Sequence, residues 1–180
     1  MNPEEPQVDS PQIYCPYTNL QAGTTVALAN YTVNFVNCTG DKWAYTKYFQ
    51  DRWDEGKTFI SVEHDIVFWP GAIEELIACE QDWCYFSDQW RCEGLPIYHC
   101  RFGLTKIGAT LIEDVPDVWN DFLRRYTPID PPAPYNMLDT FFSDFVRQES
   151  DHRPPHEHFP GTVNINPTYY ADVIAAAGGS

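Results

Sequence analysis

The sequence predicts a single α/β domain with a mostly parallel central sheet flanked by helices, for three reasons. The 180-residue chain is 43% hydrophobic and 16% aromatic, which suits one domain with a packed core. Short apolar segments rich in β-branched and aromatic residues alternate along its first half with segments of helical length. Such spacing supplies the crossover connections that parallel strands need. We expect this domain over residues 12–170, between a polar, Pro-rich arm (1–11) and a tail (171–180).

The first half follows this alternation in order. Strands are predicted for IYCPYTNL (13–20), TVNFVN (32–37), FISVEHDIVF (59–68) and WCYF (83–86). Helices are predicted between them for AGTTVALANY (22–31), KWAYTKYFQDRW (42–53) and PGAIEELIACEQ (70–81). The last of these has a proline and two glutamates in its opening turn, which favour a helix start.

The second half is less regular. Helices are predicted for FGLTKIGATLI (102–112), VPDVWNDFLRRY (115–126) and MLDTFFSDFVRQ (137–148). Loops are predicted for TPIDPPAPY (127–135) and HRPPHEHFPGTVNIN (152–166), of which the second can end in a short strand.

Charge and hydropathy exclude several classes of protein. The formal net charge of -15 does not favour binding to nucleic acid or to an anionic membrane. No apolar run approaches the roughly 20 residues that cross a bilayer, so we expect no membrane span and a cytoplasmic location.

The six cysteines are expected to be free thiols in a reducing cytoplasm, because a chain with this much aromatic core does not need disulfides. Several potential zinc ligands crowd one third of the chain, namely Cys79, Cys84, Cys92, His99 and Cys100. They contain no CxxC pair, so their spacing is poor for a structural zinc site.

Three polar residues, Glu63, His64 and Asp65, interrupt the apolar run FISVEHDIVF. Open α/β sheets bind ligands at the carboxyl ends of their strands, where this triplet is expected to lie. Carboxylates two residues apart on an extended chain point the same way, so Glu63 and Asp65 can approach one cation together. The alternative is a strand end with solvated acids, or a turn.

The order of elements, and above all the segment VEHDIVFWPGAIEEL, resembles the nucleotide-binding half of GT-A-type glycosyltransferases in a short, family 2-like form. EHD stands in place of their DxD metal motif, and the similarity spans roughly residues 12–166. It implies a GT-A domain that moves a sugar from a UDP- or GDP-linked donor to an unknown acceptor. Because 180 residues are few for this family, it also implies a minimal enzyme or a partner that completes the acceptor site.

The resemblance further implies a Mn²⁺ or Mg²⁺ cofactor that neutralises the leaving diphosphate. Asp65 is the main expected ligand, with Glu63 or His64 assisting; Glu63 alternatively contacts ribose or a metal-bound water. In many such enzymes a histidine near the C-terminus also binds the metal. Here this implies His158 as the first candidate and His156 as the second. Exposed loop histidines are the alternative reading.

By the same resemblance Asp139, early in the segment NMLDTFFSDFV, is the base that deprotonates the acceptor, ahead of Asp144. Its alternative role is a capping box with Asn136. The nucleotide base and ribose are expected to contact residues after the first two strands, namely Pro16, Tyr17, Thr18, Asn19, Asn37 and Asp41. Tyr17 would stack on the base, and Asp41 would accept from ribose or base, or else cap the helix from Lys42.

Two other functions compete with this one. A nucleotidyltransferase would prefer a Gly-rich, basic phosphate loop near the first strand, whereas IYCPYTNLQAG offers one Gly and no Lys or Arg. A non-catalytic nucleotide- or sugar-binding module, or an acidic interaction protein, is the alternative from another class. This non-catalytic class is favoured if metal and nucleotide fail to raise the melting temperature together.

Overall fold

The computed structural model describes residues 10–88, 102–128, 138–150 and 155–165. The strands are β1 Gln12–Tyr17, β2 Val33–Asn37, β3 Phe59–Val62, β4 Ile66–Val67, β5 Trp83–Asp88, β6 Leu104–Ile107 and β7 His156–Asn164. The helices are α1 Ala22–Ala27, α2 Ala44–Glu55, α3 Ala72–Ala78, α4 Ala109–Asp114, α5 Val118–Tyr126 and α6 Leu138–Glu149. Most of the arm, all of the tail 171–180, and the loop 129–135 lie outside the described residues.

The strands form one sheet in the order β2-β1-β3-β6-β5-β7-β4. β1 pairs in parallel with β2 and β3, and β5 pairs in parallel with β7. Because β6 is antiparallel to both β3 and β5, the two parallel groups run in the same direction. Only β6 and β4 oppose them among the described strands. The expected single α/β domain, with a mostly parallel sheet flanked by helices, is confirmed.

Helices cover both faces of the sheet, and its central strands are therefore buried on each side. Every residue of β3 and β6 is buried. On one face α2, α5 and α6 meet through stacked aromatic rings: Trp119 lies 5.0 Å from Phe49 and 5.4 Å from Phe142, centroid to centroid. On the other face α3 packs Ile73 and Leu76 against the sheet. None of the described helices is both long and apolar enough to span a membrane.

The prediction of a helix over 102–112 is wrong in its first half. Leu104–Ile107 is a strand, and α4 begins only at Ala109. Leu104, Ile107 and Leu111 recur at helical spacing, but a short apolar run is equally suited to a strand buried on both faces. Pairing with β3 on one side and β5 on the other decides for the strand.

The prediction of a loop over 152–166 is also wrong for most of its length. β7 spans His156–Asn164 and pairs with both β5 and β4. Its proline and its adjacent glycine favour a loop by local propensity, and the main-chain bonds offered by its neighbours outweigh that preference. The structure therefore adds a long strand at the side of the sheet remote from β2.

Candidate functional site at the carboxyl edge of the sheet

Residues 63–65, hereafter the acidic turn, connect β3 to β4. The N–H of Ile66 donates to the carbonyl oxygen of Glu63 at 3.2 Å, which closes the turn. The N–H of Glu63 donates to the carbonyl oxygen of Gly103 at 2.8 Å, just before β6. The triplet therefore lies at the carboxyl end of a central strand, where open α/β sheets bind their ligands.

Two further elements hold the backbone of the acidic turn. The carbonyl oxygen of His64 accepts from the N–H of Gln21 at 3.0 Å and from the hydroxyl of Thr24 at 2.9 Å, both at the start of α1. The carbonyl oxygen of Asp65 accepts from the N–H of Ile165 at 2.7 Å, at the end of β7. These bonds fix the main chain, so the directions of the three side chains are set by the fold.

The carboxylates of the turn face a partly buried environment. Asp65 is buried and Glu63 is half-buried. Burial, followed by the charges of Asp65 and Glu63, raises the pKa of the Cys15 thiol in β1 to about 12. Burial, followed by the Glu63 charge, raises the pKa of the Tyr45 hydroxyl in α2 well above its usual range. Both acids therefore act electrostatically on a thiol within β1 and on a hydroxyl in the first turn of α2.

Sequence reasoning missed Cys15 and Tyr45 as neighbours of this edge. Cys15 lies within an apolar strand, and Tyr45 within a helix so aromatic that its pattern indicates core packing alone. The Tyr45 hydroxyl oxygen is buried with no hydrogen-bond partner among the described residues. Only the effect of the Glu63 charge on the pKa of this hydroxyl relates Tyr45 to the acidic turn.

The loops after β1 and β2 lie side by side, as the predicted nucleotide site requires. Tyr17 pairs with Asn37 in the strand register, and the hydroxyl of Thr39 donates to the carbonyl oxygen of Thr18 at 3.2 Å. The Asn37 side chain accepts from the N–H of Thr39 at 2.9 Å, which shapes the second loop. Pro16 lies one position back in the same ladder.

Asn19 connects this pair of loops to the acidic turn. Its carbonyl oxygen accepts from the side-chain amide of Gln21 at 3.1 Å, and the N–H of Gln21 donates to His64. The structure thus brings the predicted residues after β1 and β2 to the same edge as residues 63–65. Their contacts with a nucleotide remain a prediction.

Asp41 is engaged within the chain. One of its carboxylate oxygens accepts from the N–H of Trp43 at 2.8 Å, and the other contacts the ammonium of Lys47 at 2.6 Å. The Lys47 hydrogen bond and then the Trp43 N–H lower the pKa of Asp41. α2 begins at Ala44, two residues later than the capping alternative expected. Both bonds hold Asp41 in the turn that precedes α2, whose N-cap, Trp43, has no side-chain capping bond.

Asp139 lies in the first turn of α6 and is half-buried. Its carboxylate accepts from the N–H of Thr140 at 2.7 Å. Phe142, one turn later, packs 5.4 Å from Phe102, which precedes the glycine bonded to the acidic turn. Asp144 is paired with Arg147 at 2.8 Å, and Asn136 lies outside the described residues. The role of Asp139 as a base remains a prediction.

His156 and His158 lie away from Asp65. They begin β7, with ring centroids 4.5 Å apart, and Nδ1 of His158 lies 2.7 Å from a carboxylate oxygen of Glu75 in α3. Asp65 contacts β7 at Ile165, seven residues beyond His158. The expectation that one of these histidines shares a metal ion with Asp65 is not supported by this placement.

Comparison with known proteins finds no matching protein-family model and no matching curated sequence. Among solved structures, a glycosyltransferase involved in glycosylation of the major capsid of PBCV-1 aligns over 82% of this chain and 80% of its own, at 11% identity and a TM-score of 0.47. The glycosyltransferase GlyE of Streptococcus pneumoniae TIGR4 aligns over 93% of this chain but 42% of its own, at 12% identity and 0.43. A197 from STIV aligns over 57% of this chain and 66% of its own, at 12% identity and a TM-score of 0.37. Likenesses this distant assign neither a family nor an activity.

Proposed function

We propose that this protein is a metal-dependent glycosyltransferase that moves a sugar from a UDP- or GDP-linked donor to an acceptor. The observation that supports this most directly is the acidic turn at the carboxyl end of β3, beside the loops that follow β1 and β2. At such an edge the loops would hold the nucleotide and the acids would lie near its diphosphate. The segment VEHDIVFWPGAIEEL, which resembles GT-A-type enzymes, supplies that turn.

The residues of the turn suit a hard divalent cation. Carboxylate oxygens are the donors that Mg²⁺ and Mn²⁺ prefer, and Asp65 and Glu63 provide them from one short segment. Asp65 would hold the ion, with Glu63 or His64 assisting. When bound, the ion neutralises the charge that develops on the departing diphosphate.

The remaining roles fall to groups of the chain itself. Tyr17, Asn19 and Asn37 orient the nucleotide above the ends of β1 and β2. Asp139 takes the proton of the acceptor hydroxyl. The acceptor oxygen then forms a bond to the anomeric carbon of the sugar, while the bond from that carbon to the diphosphate breaks. Correct placement of both substrates over one edge supplies the proximity that the transfer needs.

Donor hydrolysis tests this proposal without knowledge of the acceptor. We expect UDP- or GDP-sugars to raise the melting temperature more with Mn²⁺ than with EDTA, because a ligand that binds only the folded state stabilises it. We also expect slow, Mn²⁺-dependent release of the nucleoside diphosphate. Asp65→Asn should remove both effects, since it acts on ground and transition states alike.

The matched control is Asp121→Asn, which removes a carboxylate of α5 that is paired with Arg124 and is no part of the acidic turn. It should keep both effects. Equal thermal shifts in Mn²⁺ and EDTA would contradict the proposal. Release of pyrophosphate from nucleoside triphosphates would indicate a nucleotidyltransferase, and metal-dependent binding without turnover of any donor would indicate a binding module.

A further inference from the structure

A second group of metal-ligating side chains lies on the face of the sheet that α3 covers. Cys79 follows α3, Cys84 lies in β5 and His158 lies in β7, and one ligand atom from each falls within 4.8 Å of the others. The Sγ of Cys79 also lies 3.5 Å from Nδ1 of His156. We propose that Cys79, Cys84, His158 and His156 form a zinc site, distinct from the site of the proposed glycosyl transfer.

The register of two strands presents these ligands together. β5 and β7 pair in parallel with Cys84 opposite His156 and with His158 opposite the residue two places further along β5. Side chains two apart on a strand share a face, so both histidines and Cys84 point toward α3. The four side chains offer two sulfurs and two imidazoles, which is a ligand set of structural zinc.

A neighbouring carboxylate orients one of the imidazoles. Nδ1 of His158 lies 2.7 Å from Oε1 of Glu75, and its Nε2 is buried with no hydrogen-bond partner among the described residues. A zinc-bound histidine usually donates its other N–H to a carboxylate in this way. Leaving a buried ring nitrogen unbonded is unfavourable, and a metal ion at Nε2 would remove that deficit.

Lys106 places a positive charge beside the sulfurs. It lies opposite Cys84 in the β5–β6 register, is itself buried, and donates to the carbonyl oxygen of Cys79. A fixed ammonium beside the ligands would offset part of the negative charge of two zinc-bound sulfurs. The soft sulfur donors distinguish this cluster from the oxygen donors of the acidic turn and select zinc over Mg²⁺ or Mn²⁺.

The cluster is separate from the acidic turn. Cys84 is level with Ile60 across β6, three residues before Glu63 and two strands away. With about 3.3 Å per residue and about 4.8 Å per strand, the offset is roughly 10 Å along the strands and roughly 10 Å across them. The zinc proposal therefore stands or falls independently of the glycosyltransferase proposal.

Cobalt titration of the full-length, reduced, chelator-treated protein tests the site. We expect one equivalent of Co²⁺ to give tetrahedral ligand-field bands with a thiolate charge-transfer band, and Zn²⁺ to displace it. Cys79→Ala, at a half-exposed position, should lower the charge-transfer intensity, because only the Cys84 thiolate remains, and weaken Zn²⁺ binding by roughly tenfold or more. Glu75→Gln should keep the spectrum but weaken Zn²⁺ binding by roughly 10- to 100-fold.

Two controls separate the outcomes. Cys38→Ala removes a buried free cysteine outside the cluster and should leave the spectrum unchanged. Asp65→Asn should also leave it unchanged, because the acidic turn supplies no sulfur. A cobalt spectrum without a thiolate band, or one whose thiolate band keeps its full intensity in Cys79→Ala, would overturn the proposal. A Cys79–Cys84 disulfide in the purified protein, with no zinc bound at equimolar metal, would do so as well.

Discussion

Asp139 is the residue whose catalytic and structural roles can be separated most cleanly. We expect Asp139→Asn to lower the rate of sugar transfer by roughly 10²–10⁴-fold, the usual range for a general base. Metal-dependent nucleotide binding should stay nearly intact, because Asp139 lies on α6 whereas the acidic turn lies between β3 and β4. Parallel measurement of nucleotide affinity and transfer rate checks this.

Stability supplies the control for that variant. The carboxylate accepts from the N–H of Thr140, and the amide oxygen of asparagine can accept the same bond. The melting temperature should therefore change little. A variant that loses stability instead of activity would show that the carboxylate serves the start of α6 and not the chemistry.

Single residues of the site could be predicted from the sequence only where a local pattern marked them. Glu63 and Asp65 interrupt an apolar strand, and the structure places them at a sheet edge. The family resemblance implies His158 as a ligand that joins Asp65, yet the neighbour of His158 is Glu75, because the point where β7 begins decides which residues it meets. Tyr45 carries no local signal, since its position depends on how α2 packs.

At the scale of elements, the end of α2 makes a specific prediction for stability. Gly56 adopts φ 63° and ψ 25°, and its N–H donates to the carbonyl oxygen of Trp53 at 3.0 Å. An added Cβ would meet nothing within 4 Å, so the cost of Gly56→Ala is backbone strain alone. We expect the free energy of unfolding to fall by about 1 kcal/mol.

Gly56→Asn is the matched comparison, because asparagine tolerates the left-handed conformation better than alanine does. It should cost less than Gly56→Ala in urea denaturation at equal slope. Equal losses for both variants would mean that the helix end relaxes to another conformation, and the strain argument would then not apply.

Helices and strands could be predicted where the spacing of their apolar residues matched the faces that the fold buries. β3 and α3 follow this rule, the first as an apolar run and the second through apolar residues at helical spacing. β6 and β7 do not, since both owe their conformation to partners distant in the chain. Pairing across the sheet is tertiary information, and a local window of sequence does not contain it.

At the scale of the whole molecule, electrostatics oppose the binding of a phosphate ligand. The formal net charge is -15, with only 11 lysines and arginines. Several of these cations contact acids within the chain, namely Lys47 with Asp41, Arg52 with Glu55, Arg124 with Asp121 and Arg147 with Asp144. A diphosphate that approaches the acidic turn therefore meets repulsion unless a divalent cation accompanies it.

This repulsion predicts an unusual response to salt when the metal is removed. In EDTA, nucleoside diphosphate affinity should rise as NaCl increases from about 20 to about 200 mM, because screening weakens a net unfavourable interaction. Sites built from lysine and arginine respond in the opposite direction. The change should be roughly two- to fivefold, for a screened interaction of about 0.5–1 kcal/mol.

Asp65→Asn makes a sharper test, because its effect on nucleotide affinity should have opposite signs with Mn²⁺ and in EDTA. With Mn²⁺ present, the variant should bind the nucleotide more weakly than the parent, because the cation loses its main carboxylate. In EDTA it should bind more tightly than the parent, because one negative charge has left the site. Calorimetric titrations of both proteins with and without Mn²⁺ measure the four affinities. If the variant binds the nucleotide more weakly than the parent both with Mn²⁺ and in EDTA, loss of a cation ligand alone does not explain the result. Asp65 would then contribute to folding of the edge or contact the nucleotide directly.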